Sequence, residues 1–67
     1  MEILKKAWIN INDLQEQEKN MFLEHYKNNE NVYILTTIDN KKVNIEYIIT
    51  SIKENIINLQ ATGKVVL

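Results

Sequence analysis

Between Asn12 and Asn31 the chain holds no valine, isoleucine or threonine, yet sixteen of the thirty-six positions from Val32 to Leu67 are one of these three. Such β-branched side chains are stiff at χ1 and suit a pleated, half-buried surface. An AT-rich genome would enrich Ile along the whole chain, so genome bias alone does not explain a twenty-residue gap. The contrast predicts one helix set beside a run of strands.

Before the gap, residues 6–11 alternate, with Ala7, Ile9 and Ile11 on one side and Lys6, Trp8 and Asn10 on the other. A short strand accounts for this pattern. A helix through Ile3, Leu4, Ala7, Trp8 and Ile11 is the rival, and the strand is preferred because I-N-I-N is a poor helical run. Asn12 or Asp13 then offers a cap, with Gln15 and Glu16 at capping-box spacing. A helix is expected over 13–28, its inner face carrying Leu14, Met21, Phe22 and Tyr26. Asn28 to Asn31 reads as a loop.

Val32 to Ile38 is expected as a strand. A turn with Asn40-Lys41 at its tip would place Asp39 opposite Lys42 and Ile38 opposite Val43. Residues 45–61 read two ways. Ile45, Ile48, Ile49, Ile52, Ile56 and Leu59 fit a helical stripe with Asn44 as cap and Gly63 as stop. They also divide into two strands about a turn at Glu54-Asn55, with Thr62-Gly63-Lys64 turning into Val65-Val66-Leu67. Strands are preferred, because the first helix is built from Leu, Met, Phe, Gln and Glu, whereas 45–61 hold seven Ile or Thr. The expected fold class is α+β, mostly β: an N-terminal strand and helix followed by a small antiparallel barrel. The alternative is a two-helix β-α-β-β-α-β domain.

Sixty-seven residues make one small domain, 1–67. A core this small rarely supplies more than about 3–5 kcal/mol. With no cysteine and one histidine, neither disulfides nor a zinc site is available to reinforce it. A homo-oligomer is therefore expected, covering strand edges at Val65-Val66-Leu67 and Ala7-Ile9. No run approaches the roughly 18 apolar residues of a membrane span. No secretory pattern opens the chain, so a cytoplasmic location is expected.

The net charge is −1 and every basic residue is lysine. Arginine, the usual donor for phosphate and guanine, is missing, which argues against strong duplex DNA binding. Single-stranded RNA remains open as a ligand for Lys41 and Lys42 with Tyr33 and Tyr47, since bases stack on tyrosine. Trp8 and Leu23, with Val65 and Val66, are the candidate protein interface. No catalytic constellation, metal set or cofactor motif is recognisable. Glu18 and His25 are seven residues apart, about 10 Å along a helix, too far to converge.

On the strand reading, the order of helix, strand and three turn-linked strands resembles the Sm-like family, nearest to the Hfq-like RNA chaperones. The similarity covers about residues 20–67. Phe22-Leu23 sits where that family often has an apolar pair. Ile49 to Gln60 resembles its second strand, turn and third strand, and Gly63-Lys64 its fourth-strand opening. The family's strand-two glycine has no counterpart here, Asn55 occupies the turn position of a base-stacking aromatic, and the Tyr-Lys-His signature is not reached. The resemblance implies an Sm/SH3-like barrel and a non-catalytic, oligomeric RNA-binding regulator. The alternative is a phage- or plasmid-type regulatory or inhibitory module acting by protein–protein contact.

Overall fold

Two long strands shape the computed structural model, which describes residues 5–66. The order is β1 (Lys6–Asn10), a 3₁₀ turn (Ile11–Asp13), α1 (Glu16–Lys27), β2 (Val32–Ile38), β3 (Lys41–Lys53) and β4 (Ile56–Val66). The strands form one antiparallel sheet in the order β1-β4-β3-β2. Strand accounts for 58% and helix for 24% of the described residues, and residues 45–61 are two strands about the turn at Glu54-Asn55, so the two-helix alternative is set aside. Leu67, Ile3 and Leu4, which entered the expectations above, lie outside the described residues.

The β-branched contrast thus separates helix from sheet, but the boundaries move. Of the residues expected to open the helix, Asp13 ends a 3₁₀ turn, Leu14 and Gln15 are extended, and α1 begins at Glu16. The Asn10 side chain accepts from the Asn12 amide at 2.9 Å, and the Leu14 amide returns to the Ile11 carbonyl at 3.0 Å. The helix starts only after Gln15, whose amide donates to Glu18 Oε1 at 3.2 Å. It ends on Asn29 at φ 56, with Glu30 N–H bonded to the His25 carbonyl and Asn29 N–H to that of Tyr26. This is a Schellman cap, for which Asn is a tolerated left-handed residue. Tyr26, expected on the inner face, is 41% exposed.

Both hairpins turn through two residues at positive φ: Asp39 (50) with Asn40 (65), and Glu54 (51) with Asn55 (68). This is the turn geometry whose twist matches that of the strands. The Glu54-Asn55 turn lies where the sequence placed it. The first hairpin is corrected by two residues, Ile38 pairing with Lys41 rather than Val43. Asp and Asn both accept the left-handed region that a tip at Asn40-Lys41 would have demanded of lysine.

The sheet is curled into a half-barrel. Twelve steps of about 3.3 Å would make β3 roughly 40 Å long if straight, whereas the whole molecule extends 33 Å. Two bulges supply bending. Ile49 pairs with Leu59 and Ser51 with Asn58, leaving Thr50 extra in β3. In β4, Thr62, Gly63 and Lys64 lie between Ala61, paired with Tyr47, and Val65, paired with Ile45. The expected turn at Thr62-Gly63-Lys64 is therefore a bulge: the chain re-pairs with the same neighbour instead of starting a fifth strand. Gly63, the single glycine, has φ 96 there. The curl is achieved without the strand-two glycine of the Sm-like pattern, because bulges bend and twist a strand locally.

The core is the inner face of this half-barrel. Val32, Val43, Ile45, Tyr47, Ile49, Ile57 and Leu59 are buried from the sheet, and Phe22 alone from the helix. Ala7, Ile9, Ile11, Leu14 and Met21 pack around them.

Ile57→Ala is expected to cost about 2–5 kcal/mol, comparable to the whole net contribution of so small a core, and to abolish cooperative unfolding in a denaturant titration. A Cβ at Gly63 would meet no atom within 4 Å, so Gly63→Ala should cost backbone strain alone, about 1–2 kcal/mol. An unchanged denaturation midpoint in that variant would show that the bulge does not depend on the left-handed residue.

Candidate interaction surface

Strand alternation sorts the sheet into two chemically different faces. Opposite the core, the outer face carries cross-strand rows set by the register. Trp8 lies beside Asn58, and Asn58 beside Ser51. Lys6, Gln60 and Ile48 form the next row, then Glu46 beside Tyr33, then Val66, Asn44 and Leu35. Trp8 is 68% exposed and Leu35 61%. The facing expected for β1, Ala7 and Ile9 inward with Trp8 outward, is the one observed. Trp8 flanks an open groove also lined by Lys6, Thr50, Ser51, Asn58 and Gln60.

The centre of this face is polar and ordered. Tyr33 Oη donates to Glu46 Oε2 at 2.7 Å, and Thr62 Oγ1 donates to Glu46 Oε1 at 2.6 Å. Thr62 Oγ1 also accepts from the Lys64 amide at 3.3 Å, closing the bulge on itself. One carboxylate thus ties β2 to the bulge of β4 across β3. The hydrogen bond from Thr62, then that from Tyr33, hold the Glu46 carboxyl below the usual carboxylate range, and the Lys64 charge works in the same direction. The hydrogen bond to Glu46 pushes the Tyr33 phenol above the ordinary tyrosine range, with desolvation and the carboxylate charge adding to it. Held as the carboxylate by these hydrogen bonds, Glu46 is a clamp and a weak base.

The four residues weighed for RNA do not converge. Tyr33 is on the outer face and 48% exposed, whereas Tyr47 is on the inner face and 5% exposed, within the core. Lys42 pairs with Thr37 and lies four residues along the hairpin from the Tyr33–Glu46 pair, about 13 Å away. Lys41 pairs with Ile38 beside the turn. The protein-interface candidates are also dispersed. Leu23 is 38% exposed on α1, Val65 is half-buried opposite Ile45, and Val66 is 40% exposed on the outer face. The expected open edge at Ala7-Ile9 is paired with β4 on one side. His25 Nδ1 bonds the Met21 carbonyl at 2.8 Å. Among the described residues no group of three His, Cys, Asp or Glu is placed to hold a metal.

Glu46 and Thr62 were not singled out in the sequence. Their signal was the register: a turn at Asp39-Asn40 places Glu46 opposite Tyr33, whereas the turn first expected places Ile48 there. The opposed facing of the two tyrosines was available from alternation in either register.

Glu46 contributes to stability above the ordinary carboxylate pKa, and that contribution is lost as the pH falls through its depressed value. Tyr33 contributes below the ordinary phenol pKa and loses its contribution as the pH rises through the raised one. Carbon-13 NMR of the Tyr33 ring should show ionisation above the ordinary range, moving down in Glu46→Gln. Identical titration in the two proteins would mean that the hydrogen bond does not persist in solution.

No protein-family model, curated protein or solved structure matches the chain.

Proposed function

We propose that this is a non-catalytic, oligomeric binding domain that engages protein through the outer face of its sheet. The observation that carries the reading is the placement of Trp8, Tyr33, Leu35, Ile48 and Val66 on that face, each at least 40% exposed. The core is built on the opposite side, so its packing does not account for five large apolar groups in solvent. Aromatic anchors dominate protein interfaces, and Asn44, Asn58 and Gln60 between them offer polar groups of the kind that surround such anchors. The balanced charge and the missing arginine fit a protein partner better than a polyphosphate.

The second reading is an Sm-like small barrel that binds single-stranded RNA. It is supported by a helix leading into a curled antiparallel sheet and by the exposed ring of Tyr33. Against it stand the Glu46 carboxylate beside that ring and the burial of Tyr47. Among the described residues no helix is long and apolar enough to cross a membrane.

Trp8→Ala should leave folding stability within about 0.5 kcal/mol and weaken a protein association that survives nuclease treatment. A uridine-rich oligonucleotide should bind weakly, in a salt-sensitive manner, and lose affinity in Lys41→Glu/Lys42→Glu. Nanomolar RNA binding would overturn the protein reading, and its survival in the double variant would move the site elsewhere. Light scattering that gives a stable monomer at micromolar concentration would remove the oligomer.

A further inference from the structure

Strand β2, Val-Tyr-Ile-Leu-Thr-Thr-Ile, is an edge strand with none of the features that protect an edge. It has seven residues, no charge, no proline and no glycine, and its ladder to β3 runs through seven pairs without a bulge. Natural edges are shortened, charged, kinked or covered, because a long, flat, uncharged edge templates pairing with another chain. The other exposed edges of this sheet do carry such protection. Strand β1 has five residues and bears Lys6, and the end of β4 bears Lys64 and the Thr62–Lys64 bulge. Among the described residues, no turn, loop or cap backbone hydrogen bond reaches residues 32–38.

A second observation points the same way. The inner-face row of β2 begins at Val32, which is fully buried, but Ile34, Thr36 and Ile38 are only half-buried. The core therefore reaches the sheet edge without being closed there.

We propose that β2 pairs antiparallel with β2 of a second copy, joining two half-barrels into one continuous sheet about a two-fold axis. This deepens the reading of the domain as a homo-oligomer and rests on it. The register follows from the pleat. Inner residues must meet inner residues, so the axis passes through a residue and not between two. Only Leu35 as the centre uses the whole strand. Leu35 then faces the partner's Leu35, and Tyr33 the partner's Thr37, on the outer face. Val32 faces the partner's Ile38, and Ile34 the partner's Thr36, on the inner face. No pair sets like charges together, because the strand has none. Pairing of β2 with itself is isologous and closes, whereas pairing with β1 or β4 of another copy is heterologous and must form a ring or a fibre.

Leu35→Cys tests the register in a chain with no other cysteine. Directly opposite residues in an antiparallel pair have Cα atoms about 4.5–5.5 Å apart, within reach of a disulfide. Mild oxidation should convert Leu35→Cys to a dimer on a non-reducing gel. Tyr33→Cys and Thr37→Cys should each stay uncrosslinked alone, their like residues being about 13 Å apart, but should crosslink when mixed. Leu35→Lys, at an exposed position that the fold tolerates, should halve the mass seen by light scattering with an unchanged circular dichroism spectrum. A wild-type monomer at micromolar concentration would overturn self-assembly altogether. An oligomer in which Leu35→Cys fails to crosslink, or in which Tyr33→Cys alone crosslinks as well, would overturn this interface and leave self-assembly standing.

Discussion

The curvature of β3 and β4 is the constraint on which the rest of this domain depends. A thirteen-residue strand that stayed straight would leave one end beyond the reach of a twelve-residue helix, and the helix itself brings a single fully buried side chain. A flat sheet would therefore have most of its apolar face in water. Bending concentrates Val43, Ile45, Tyr47, Ile49, Ile57 and Leu59 around Val32 and Phe22. Thr50 and Thr62–Lys64 provide extra residues at two separate points along the β3–β4 ladder. Each locally disrupts the ladder and increases the twist, which is how a chain with one glycine and no proline makes a half-barrel.

A bulge of three residues exposes backbone and is entropically loose unless something fixes it. Here the fixing group is on a different strand. Glu46, the residue of β3 opposite the bulge, accepts from Thr62 and from Tyr33 with its two oxygens. The bend in β4 and the position of the edge strand β2 are thereby coupled through one carboxylate. Because the cluster lies in solvent, its contribution to global stability is small. Its effect is local: it ties Tyr33 of the edge strand to Thr62 of the bulge across β3.

The class of the fold was legible because the two halves of the chain use different residue types. The helix gap from Asn12 to Asn31 and the β-branched run after it are compositional signals that survive errors of a few residues. Turn chemistry was legible at Glu54-Asn55 but misread at Asp39-Asn40, where three adjacent residues tolerate or border a turn and the choice of tip moved the register by two. A shift of two preserves which face each side chain occupies, so Val43 and Ile45 remained inward while the identity of cross-strand partners was lost. That loss hid the Tyr33–Glu46 pair. The bulge at Thr62–Lys64 was misread for a related reason. Gly63 signals a left-handed residue, but a turn and a bulge both use one, and only pairing on both sides distinguishes them. The outward facing of Trp8 was legible from alternation in β1, but its place beside Asn58 was not, because β1 joins β4 through residues about fifty positions apart in the chain.

The two faces of the sheet obey opposite demands, and the edge inherits both. Inward residues must be apolar to hold a domain near the lower size limit for independent folding. Outward residues are free of that demand, yet Trp8, Tyr33, Leu35, Ile48 and Val66 lie there, each at least 40% exposed. Strand β2 lies where these requirements meet, with an incompletely covered inner row and an uncharged outer row. Among the described residues no further strand or helix pairs with this edge. Within residues 5–66, the three residues of the β4 bulge bend the sheet instead of extending it. An identical strand from a second copy, as proposed above, would supply matching length, matching alternation and no charge conflict. The partly buried inner row and the uncharged outer row of β2 are thus two sides of one edge that a copy of itself would match.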